Sequence, residues 1–404
     1  MKIVDIITSD MHQLHGANKV TEKLILGREY FKENGFLLRY VISQDGIINC
    51  ADYSESQLGL QLETAGYKNK RILIEKLKSL PFYRTAFIQK CILDKEILSN
   101  SRVCRFVKSI RQRPDIIIYQ DPFTAIYYLK KNGDNTKSIF ISHADTDPFE
   151  QLFLGRPSLR GTKTETELRN SYRFLVRHVN SVVTICQSSQ NYMKRTYGTE
   201  CPCIINGIED IPLNDGRKYS SEDHKIHIAI VASIQYRKGQ DLALDALAAL
   251  PGDLKEIIIL HIFGGGDGLD KLKRQHDELK LGNSVKLYGP VLDVEKHLPL
   301  MDAFLLPSRA DTVPIAIIEA MRAGLPIFAT RVGEVEGMIA GCGALIEPTI
   351  EAVLNLYKKL IYKKYNLEKL GYNSRNKFLE EFQLSSMIKK YSDVMKKISD
   401  KSQS

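Results

Sequence analysis

Two carboxylate side chains, Asp311 and Glu319, have the chemical type and the spacing to bind the hydroxyl groups of a ligand. Asp311 falls in a polar loop at 308–314, and Glu319 falls in a predicted helix at 315–322. Apolar runs on both sides predict two buried parallel strands, at 303–306 and 326–330. Ligands of open parallel sheets bind beyond the carboxyl ends of the strands, where helix N-termini attract phosphates. This unit therefore predicts a site for an anionic ligand that carries hydroxyls, such as a nucleotide sugar.

The length and composition predict a globular chain of two domains. Its 404 residues exceed what one ordinary core holds. No run reaches the roughly 18 apolar residues that span a membrane, and residues 1–8 predict a buried strand rather than a signal peptide. Seven scattered cysteines are typical of a reduced, cytoplasmic protein. Cys201 and Cys203 are expected to be strand-end thiols rather than a metal or redox site, because no second pair lies nearby.

The net charge of +9 is concentrated in one segment. Residues 68–113 contain thirteen Lys and Arg against three acids, with Phe82, Tyr83 and Phe87 among them. A basic amphipathic stretch with aromatic residues is typical of a segment that lies on an anionic membrane surface. The alternative is a pair of core-facing helices with a solvated basic face. Nucleic acid is not expected as a partner, because no DNA- or RNA-binding motif accompanies the charge.

The rest of the chain alternates predicted strands and helices, which is typical of doubly wound α/β domains. The first strand, at 1–8, is followed by a polar loop at 10–19 and a helix from about 20 to 34. Gly16 lies near the turn from loop to helix, where it either lets a phosphate approach or makes a simple turn. Two such domains would face a central cleft, and clefts between domains are favoured ligand sites.

His143 follows a predicted buried strand at 137–142, and the carboxyl end of such a strand is a suitable place for chemistry or ligand contact. Asp145 and Asp147 form an Asp-x-Asp pattern that is similar to the metal-binding signature of a different sugar-transferase fold. We set that signature aside, because the alternating β/α pattern and the paired acids point elsewhere. Residues 150–165 predict a loop.

The motifs of the second half resemble, in the same order, those of the retaining glycosyltransferases of family 4, which have the GT-B architecture. The matching pieces there are Arg237-Lys238-Gly239, Phe263–Gly268, Leu287-Tyr288-Gly289, Leu306-Pro307-Ser308, Asp311 with Glu319-Ala320-Met321, Gly324-Leu325-Pro326 and Gly333-Glu334. The first half contributes Gly16-Ala17, His143, Gln187-Ser188 and Ile205-Asn206-Gly207. The resemblance is specific over 225–345, patchy in the first half and absent over 45–113.

The resemblance implies a GT-B fold with two Rossmann-like domains. The acceptor-side domain is expected at 1–208 and the donor-binding domain at 225–373. A polar linker at 209–224 joins them. A C-terminal helix at 374–404 is expected to return to the first domain.

The resemblance also implies a nucleotide-diphosphate sugar as the donor, held mainly by the second domain. Glu319 would bind the ribose hydroxyls, and Asp311 the hydroxyls of the sugar. Lys238 and Arg237 would neutralise the diphosphate, and His143 would contact the sugar near the reacting carbon. His143, Asp311 and Lys238 are thus the catalytic candidates. The other expected donor contacts are Gly16, Gly264, Gly265, Thr312, Val313, Pro314 and Ile315.

The implied reaction needs no metal and no cofactor. A lysine, an arginine and a helix N-terminus would stabilise the charge that develops on the leaving diphosphate. Front-face attack would retain the configuration, with the departing phosphate accepting the proton of the acceptor, so the two flanking carboxylates of hydrolases are not required. The acceptor is expected to be a lipid-linked glycan in surface polysaccharide synthesis, at the cytoplasmic face of the inner membrane.

Two residues depart from the family pattern. Asp311 stands where the family usually has Glu, and Ser233 stands where it usually has Arg, five positions before Lys238. Arg237 is a candidate to replace the missing arginine. These departures leave two alternatives open: a catalytically weak partner subunit that binds the acceptor, or a nucleotide-sugar epimerase of the same architecture.

Overall fold

The computed structural model describes residues 1–8, 16–42, 46–49, 85–93, 112–132, 136–144, 147–211 and 224–400. The chain divides into two compact units. Unit 1 comprises Met1–Ile205 and Met387–Ser404, and unit 2 comprises Asn206–Ser386. Each unit is built around its own six-stranded, largely parallel sheet. The predicted fold class, α/β with two Rossmann-like sheets, is confirmed.

Near-continuous apolar runs form the sheet of unit 1. Every residue of Ile116–Tyr119 is buried, as expected for a parallel strand that is covered on both faces. The strands are β1 Lys2–Thr8, β2 Phe36–Ile42, β3 Gly46–Asn49, β4 Ile116–Tyr119, β5 Lys137–Ser142 and β6 Ser181–Thr184. Their order is β3-β2-β1-β4-β5-β6, and all neighbours are parallel except β2 and β3.

The strand order of unit 1 reverses between β1 and β4. The chain moves outward from β1 to β2 and β3, and then continues on the other side through β4, β5 and β6. Ligands of doubly wound sheets bind beyond the carboxyl ends of the strands at such a point. β4 leads there to Gln120 and β5 leads to His143. Residues 9–15, which follow β1, lie outside the described residues.

Helices cover the sheet of unit 1. Their bounds are Gly16–Leu26, Arg28–Glu33, Ala86–Leu93, Pro122–Asn132, Glu150–Gly155, Lys163–His178 and Gln187–Tyr197, with a 3-10 turn at Pro157–Leu159. The predicted loop at 150–165 was wrong, because most of it is helical. Phe149 and Phe153 are buried there, Phe153 packs on Phe149, and Phe149 packs on the core residue Tyr172, which a loop exposed to water would not allow.

The predicted helix at 20–34 is two helices that meet at Gly27. A Cβ atom at Gly27 would lie 2.6 Å from the side chain of Ile388, so glycine allows the C-terminal helix to pack closely here. That helix is Leu384–Asp400, and a separate helix, Leu367–Glu381, precedes it. The backbone of Ile208, in unit 2, forms hydrogen bonds with Phe382 and Leu384 at the interruption between these two helices. Residues 374–386 therefore belong to unit 2, and the return to unit 1 begins at Met387 rather than at 374.

The sheet of unit 2 is fully parallel. Its strands are β7 Ile226–Val231, β8 Ile258–Phe263, β9 Val285–Gly289, β10 Ala303–Leu306, β11 Ile327–Thr330 and β12 Gly343–Ile346. Their order is β12-β11-β10-β7-β8-β9, so the order reverses between β7 and β10. The loops that follow β7 and β10 are therefore the favoured place for a ligand in this unit.

The helices of unit 2 lie on both faces of its sheet. They are Gln240–Ala248, Gly252–Lys255, Leu269–Glu278, Val294–His297, Ile315–Arg322, Val335–Ile339, Ile350–Ile361 and Leu367–Glu381, with 3-10 turns at Tyr236–Lys238, Gly282–Ser284 and Leu298–Leu300. The core centres on Ile230, Leu260 and Leu305, and the buried Tyr357 donates a hydrogen bond to the carbonyl of Ala243.

Unit 2 begins at Asn206, and the first residues of the expected linker are attached to it. Arg375 forms two hydrogen bonds to the carboxylate of Asp210, at 2.6 and 2.8 Å. Residues 212–223 of that linker lie outside the described residues, as does most of the basic segment 68–113. Among the helices formed by the described residues, none has the length and apolar character needed to cross a membrane.

Candidate functional site

The loops after β7 and β10 are held together by backbone contacts at the reversal point of unit 2. The carbonyl of Arg237 accepts the N–H groups of Arg309 and Ala310, at 2.8 and 3.3 Å. Gly239 has a φ of +72°, and a Cβ atom there would overlap the carbonyl oxygen of Pro307. Only glycine fits this close approach, so the Arg-Lys-Gly turn is required to bring the two loops together.

Lys238 and Asp311 form an ion pair across these two loops. The Nζ of Lys238 lies 2.5 Å from Oδ2 of Asp311, and each side chain is 12% exposed. The second carboxylate oxygen of Asp311 accepts the N–H of Thr312 at 3.1 Å. An ammonium has three donors, so Lys238 keeps hydrogen atoms for a further anionic partner. The structure thus brings two of the predicted catalytic residues into direct contact.

The helix Ile315–Arg322 starts beside this ion pair without a side-chain cap. Its first turn carries no acid, and its N-cap residue is Pro314. Uncapped N–H groups at a helix start attract anions. Pro314 itself has no N–H, and that of Thr312 already bonds Asp311, so among the predicted contacts at 312–315 the N–H groups of Val313 and Ile315 remain for a ligand.

Gly333 lets the backbone after β11 pack closely against the loop that carries Asp311. Its φ is +50°, and a Cβ atom there would overlap the carbonyl oxygen of Thr312. The same carbonyl accepts the N–H of Glu334 at 2.9 Å. The Gly-Glu pair after β11 therefore supports the loop that carries Asp311.

Glu319 lies in the fifth position of the helix and is half-buried. Burial lowers the pKa of the nearby Arg322 guanidinium, and the negative charge of Glu319 opposes that effect. Arg322 also donates to the carbonyl of Glu209 at 3.0 Å. Glu319 lies on the helix whose N-terminus adjoins the Lys238–Asp311 pair.

Ser233, which stands where the family usually has an arginine, carries no charge. Arg237, the candidate to replace that arginine, uses its guanidinium within its own loop region. Ser233 is exposed, and its carbonyl accepts the side-chain N–H of Gln240 at 3.1 Å. Arg237 is exposed and donates to the side chain of Gln235 at 3.0 Å and to the carbonyl of Ala310 at 3.5 Å. Its guanidinium therefore lies along the loop surface in this structure.

Sequence reasoning missed Arg309, which braces the site. Its guanidinium forms two hydrogen bonds to Asp241, at 2.8 and 2.7 Å, and one to the carbonyl of Tyr236 at 2.6 Å. It also lies 4.1 Å from the centre of the Tyr236 ring. The hydrogen bonds to Asp241 raise the pKa of Arg309. Its position directly after Ser308 was the available signal, but its partners are 68 and 73 residues away.

The glycine loop after β8 packs on the loop after β7. Gly264 has a φ of +145°, and a Cβ atom there would overlap the carbonyl oxygen of Ala232. The carbonyl of Gly265 accepts the N–H of Ile234 at 2.9 Å, and Ile234 in turn accepts the N–H of Gly268 at 3.0 Å. Close packing of backbones explains these glycines, and their expected contact with the donor stays a prediction.

Tyr288, at the end of β9, is fixed next to that loop. Its hydroxyl lies 3.0 Å from Nδ1 of His261, and its ring stacks on Phe263 at 4.5 Å between centroids. Burial, followed by the neighbouring histidine and lysine charges, lowers the pKa of His261 to about 4, so this histidine is neutral at pH 7. The Gly289 carbonyl then bonds the N–H of Gly264 at 2.8 Å.

In unit 1, His143 pairs with a residue that sequence reasoning missed. Its Nε2 lies 2.6 Å from Oε1 of Gln120, and burial lowers its pKa to about 4. At neutral pH it is therefore uncharged. Gly16 is the first residue of the helix Gly16–Leu26, which is the next described element after β1.

Asp147, the second acid of the Asp-x-Asp pattern, is paired with an arginine. Asp147 forms an ion pair with Arg169 at 2.5 Å, and its other oxygen accepts the N–H of Phe149 at 2.9 Å. Asp145 lies outside the described residues. Among the residues that the structure does describe, no three His, Cys, Asp or Glu side chains are grouped to hold a metal ion. Cys201 and Cys203 are not joined in a disulfide, and burial raises the pKa of Cys201 to about 11.

Residues 214–377 match the family model described as glycosyl transferases group 1. This part of the chain is similar to the glycosyl transferases group 1 family. It contains β7 to β12, the Lys238–Asp311 pair and Glu319. The matched range is less than half of the chain, and it lies almost wholly in the part described as unit 2.

Two curated relatives and one solved structure extend this result. The chain is 26% identical over 259 residues to the uncharacterized glycosyltransferase MJ1069 of Methanocaldococcus jannaschii, which covers 58% of this chain and 65% of that protein. It is 27% identical over 162 residues to the lipopolysaccharide glucosyltransferase WaaG of Escherichia coli K12, covering 39% and 43%. The chain thus spans less than two thirds of the length of either relative.

The crystal structure of Anabaena Alr3699/HepE in complex with UDP is similar in fold. The TM-score is 0.67 at 16% identity, over 98% of this chain and 100% of that one. At this identity the likeness concerns the fold alone. It agrees with the GT-B assignment, which is confirmed at the level of two Rossmann-like sheets.

Proposed function

We propose that this chain is a glycosyltransferase that takes a sugar from a nucleotide-diphosphate donor in glycan biosynthesis. The observation that carries the proposal is the Lys238–Asp311 pair beside the uncapped start of the helix Ile315–Arg322. A buried cation, a helix N-terminus and two carboxylates for hydroxyls are what a sugar diphosphate requires. The match to the glycosyl transferases group 1 family and the names of the relatives support the same activity.

In the proposed reaction, the bond between the anomeric carbon and the diphosphate oxygen breaks while an acceptor oxygen bonds to the same carbon. Negative charge moves to the diphosphate, and Lys238 and the helix N–H groups stabilise it without a metal. The departing phosphate oxygen takes the proton of the acceptor hydroxyl, so no separate base is needed. We propose that attack on the same face retains the anomeric configuration, which NMR of the product's anomeric proton would check.

Binding of the donor divides between the two carboxylates. Glu319 accepts hydrogen bonds from the ribose hydroxyls, and Asp311 accepts them from the sugar while it orients Lys238. His143, neutral at pH 7, contacts a sugar hydroxyl rather than transferring a proton. Gly16 and Gly264 let the backbone approach the ligand closely.

The proposed acceptor is a lipid-linked glycan at the cytoplasmic face of the inner membrane, bound with help from residues 68–113. Only 85–93 and 112–113 of this segment are described. The helix Ala86–Leu93 presents Phe87 with 73% of its surface exposed. An exposed aromatic among basic residues is suited to a lipid headgroup region.

A thermal-shift panel of nucleoside diphosphates and nucleotide sugars tests the proposal, starting with UDP because the HepE structure contains it. Binding at about 100 times the dissociation constant should stabilise the folded chain by roughly 2.7 kcal/mol. Glu319→Ala should abolish the shift, and Glu351→Ala, an exposed glutamate of the same unit, should keep it. Equal shifts in both variants would contradict the assigned site.

Arg309 and Ser233 favour one second candidate, a catalytically weak partner subunit. Ser233 carries no charge, and Arg309, which lies next to the loop of Lys238, is ion-paired with Asp241. Donor turnover by the purified chain alone, lost in Glu319→Ala, would exclude this candidate.

A further inference from the structure

Gln120 and His143 lie at the carboxyl ends of the neighbouring strands β4 and β5. The Oε1 of Gln120 lies 2.6 Å from Nε2 of His143, and Gln120 is 3% exposed. Gln120 is also held by its backbone, since its N–H bonds the carbonyl of Ile7 at 3.0 Å. Directly after it, Asp121 accepts the N–H groups of the following helix start. The amide therefore stands on a rigid element at the reversal point of the sheet.

The chemistry of an amide oxygen decides the form of the histidine. A carboxamide oxygen only accepts, so Nε2 of His143 must carry the hydrogen, and Nδ1 is left with a lone pair. The ring is neutral at pH 7, because burial lowers its pKa to about 4. Among the described residues, neither Nδ1 of His143 nor Nε2 of Gln120 has a hydrogen-bond partner.

We infer that Gln120 holds His143 in the Nε2–H form, so that Nδ1 of His143 accepts a hydrogen bond from a hydroxyl group of a sugar substrate. A sugar hydroxyl donates to Nδ1 of His143, while Nε2 of Gln120, on the other side of the imidazole ring, donates to a second oxygen of the substrate. Buried polar groups without partners are costly, and a ligand that supplies both partners removes that cost. Gln120 is a positioning residue in this scheme, and the inference rests on the proposed function.

Long-range ¹H–¹⁵N NMR of the full chain, labelled with ¹⁵N-histidine at pH 7, tests the form of the ring without any ligand. His143→Phe assigns the signals by their loss. We expect a protonated Nε2 and an unprotonated Nδ1 in the wild-type protein and in Gln120→Glu, which keeps an accepting oxygen. Gln120→Leu should give a mixture of tautomers, whereas Gln190→Leu, a partly buried glutamine outside the site, should leave the signals unchanged. A protonated Nδ1 in the wild type overturns the inference.

The ligand part is tested with UDP-glucose, UDP-galactose and GDP-mannose. The nucleotide sugar that raises the melting temperature most should move the Nδ1 resonance of His143, while UDP alone should not. Gln120→Leu should weaken its binding roughly tenfold, the equivalent of one hydrogen bond. Binding of the sugar nucleotide without any movement of Nδ1 overturns the sugar contact but leaves the proposed function in place. A chain that binds none of the three contradicts the proposed donor as well, while the tautomer result still stands.

Discussion

Lys238 and Asp311 are 73 positions apart in the chain and 2.5 Å apart in the structure. At the scale of single residues, this pair is the part of the site on which most depends. Each side chain is 12% exposed, so each charge relies on the other in the absence of a ligand. Breaking such a pair leaves a poorly solvated charge, and losing the cation also removes stabilisation of the leaving diphosphate.

Lys238→Met should lower donor turnover by about 10²- to 10³-fold, because it removes one preorganised charge from the leaving group. It should also lower the melting temperature, since Asp311 is left unpaired. Adding Asp311→Asn should recover stability but not activity, which separates the two effects. Lys273→Met, on an exposed position of unit 2, is the control. Full turnover by Lys238→Met would show that Lys238 takes no part in the reaction.

Asp311→Glu restores the residue type that is usual in the family, and we expect it to be worse rather than better here. The backbone of Gly333 packs against the carbonyl of Thr312 and so fixes the position of the loop. The Asp311 carboxylate already reaches Lys238. One more methylene should lower the free energy of unfolding by roughly 1–2 kcal/mol through overpacking. Chemical denaturation measures this, with Asp293→Glu on the surface as the control. A gain in both stability and turnover would show that the loop tolerates the longer acid.

At the scale of elements, glycines set how closely the loops of unit 2 approach each other. Gly239, Gly264 and Gly333 each have a positive φ, and each would place a Cβ atom on a neighbouring carbonyl oxygen. The loops after β7, β8, β10 and β11 are thus packed backbone to backbone. This packing holds the ion pair and the helix start in place before any ligand arrives.

Gly239→Ala should lower the free energy of unfolding by roughly 2–4 kcal/mol, because it adds a steric overlap with Pro307 to the strain of a positive φ. Gly341→Ala is a matched control, since Gly341 has a φ of +80° and no atom near its Cβ position. The control should cost only about 1 kcal/mol, from the backbone alone. Urea denaturation compares the two, and equal costs would argue against the close contact of the loops.

At the scale of the whole molecule, charge is distributed unevenly along the chain. Thirteen basic residues at 68–113 account for the excess, while the part that matches the glycosyl transferases group 1 family, at 214–377, carries the predicted donor site. The proposed division of labour is therefore a donor site in one part of the chain and membrane attraction in another.

Vesicle flotation with anionic lipids tests this division. Changing Lys68, Lys70, Arg71, Lys76 and Lys78 to Gln should sharply reduce the lipid-bound fraction, because each basic group near an anionic surface contributes roughly 1 kcal/mol. The matched control changes five exposed basic residues of unit 2 to Gln, namely Lys271, Lys273, Arg274, Lys280 and Lys286. Equal recovery of the two variants with the vesicles would contradict the membrane role of 68–113.

The sequence by itself determined most of the local structure, and its motifs predicted the main candidate residues of the site. Unbroken apolar runs such as Ile116–Tyr119 predicted parallel strands, because strands covered on both faces expose no polar side. Lys238, Asp311 and Glu319 were found from their motifs. The local errors were at 150–165, where Phe149 and Phe153 are drawn into the core, and at Gly27, where a helix breaks beneath Ile388.

Only the tertiary structure decided which of these residues meet. The contacts of Lys238 with Asp311, of Arg309 with Asp241 and of His143 with Gln120 join positions 73, 68 and 23 apart. Each contact lies at strand ends whose neighbours are set by strand order, and strand order reverses at β1/β4 and at β7/β10. Local periodicity carries no information on that order. For this reason the motifs predicted the kind of ligand, whereas the partners of the motif residues, Gln120 and Arg309 among them, came only from the fold.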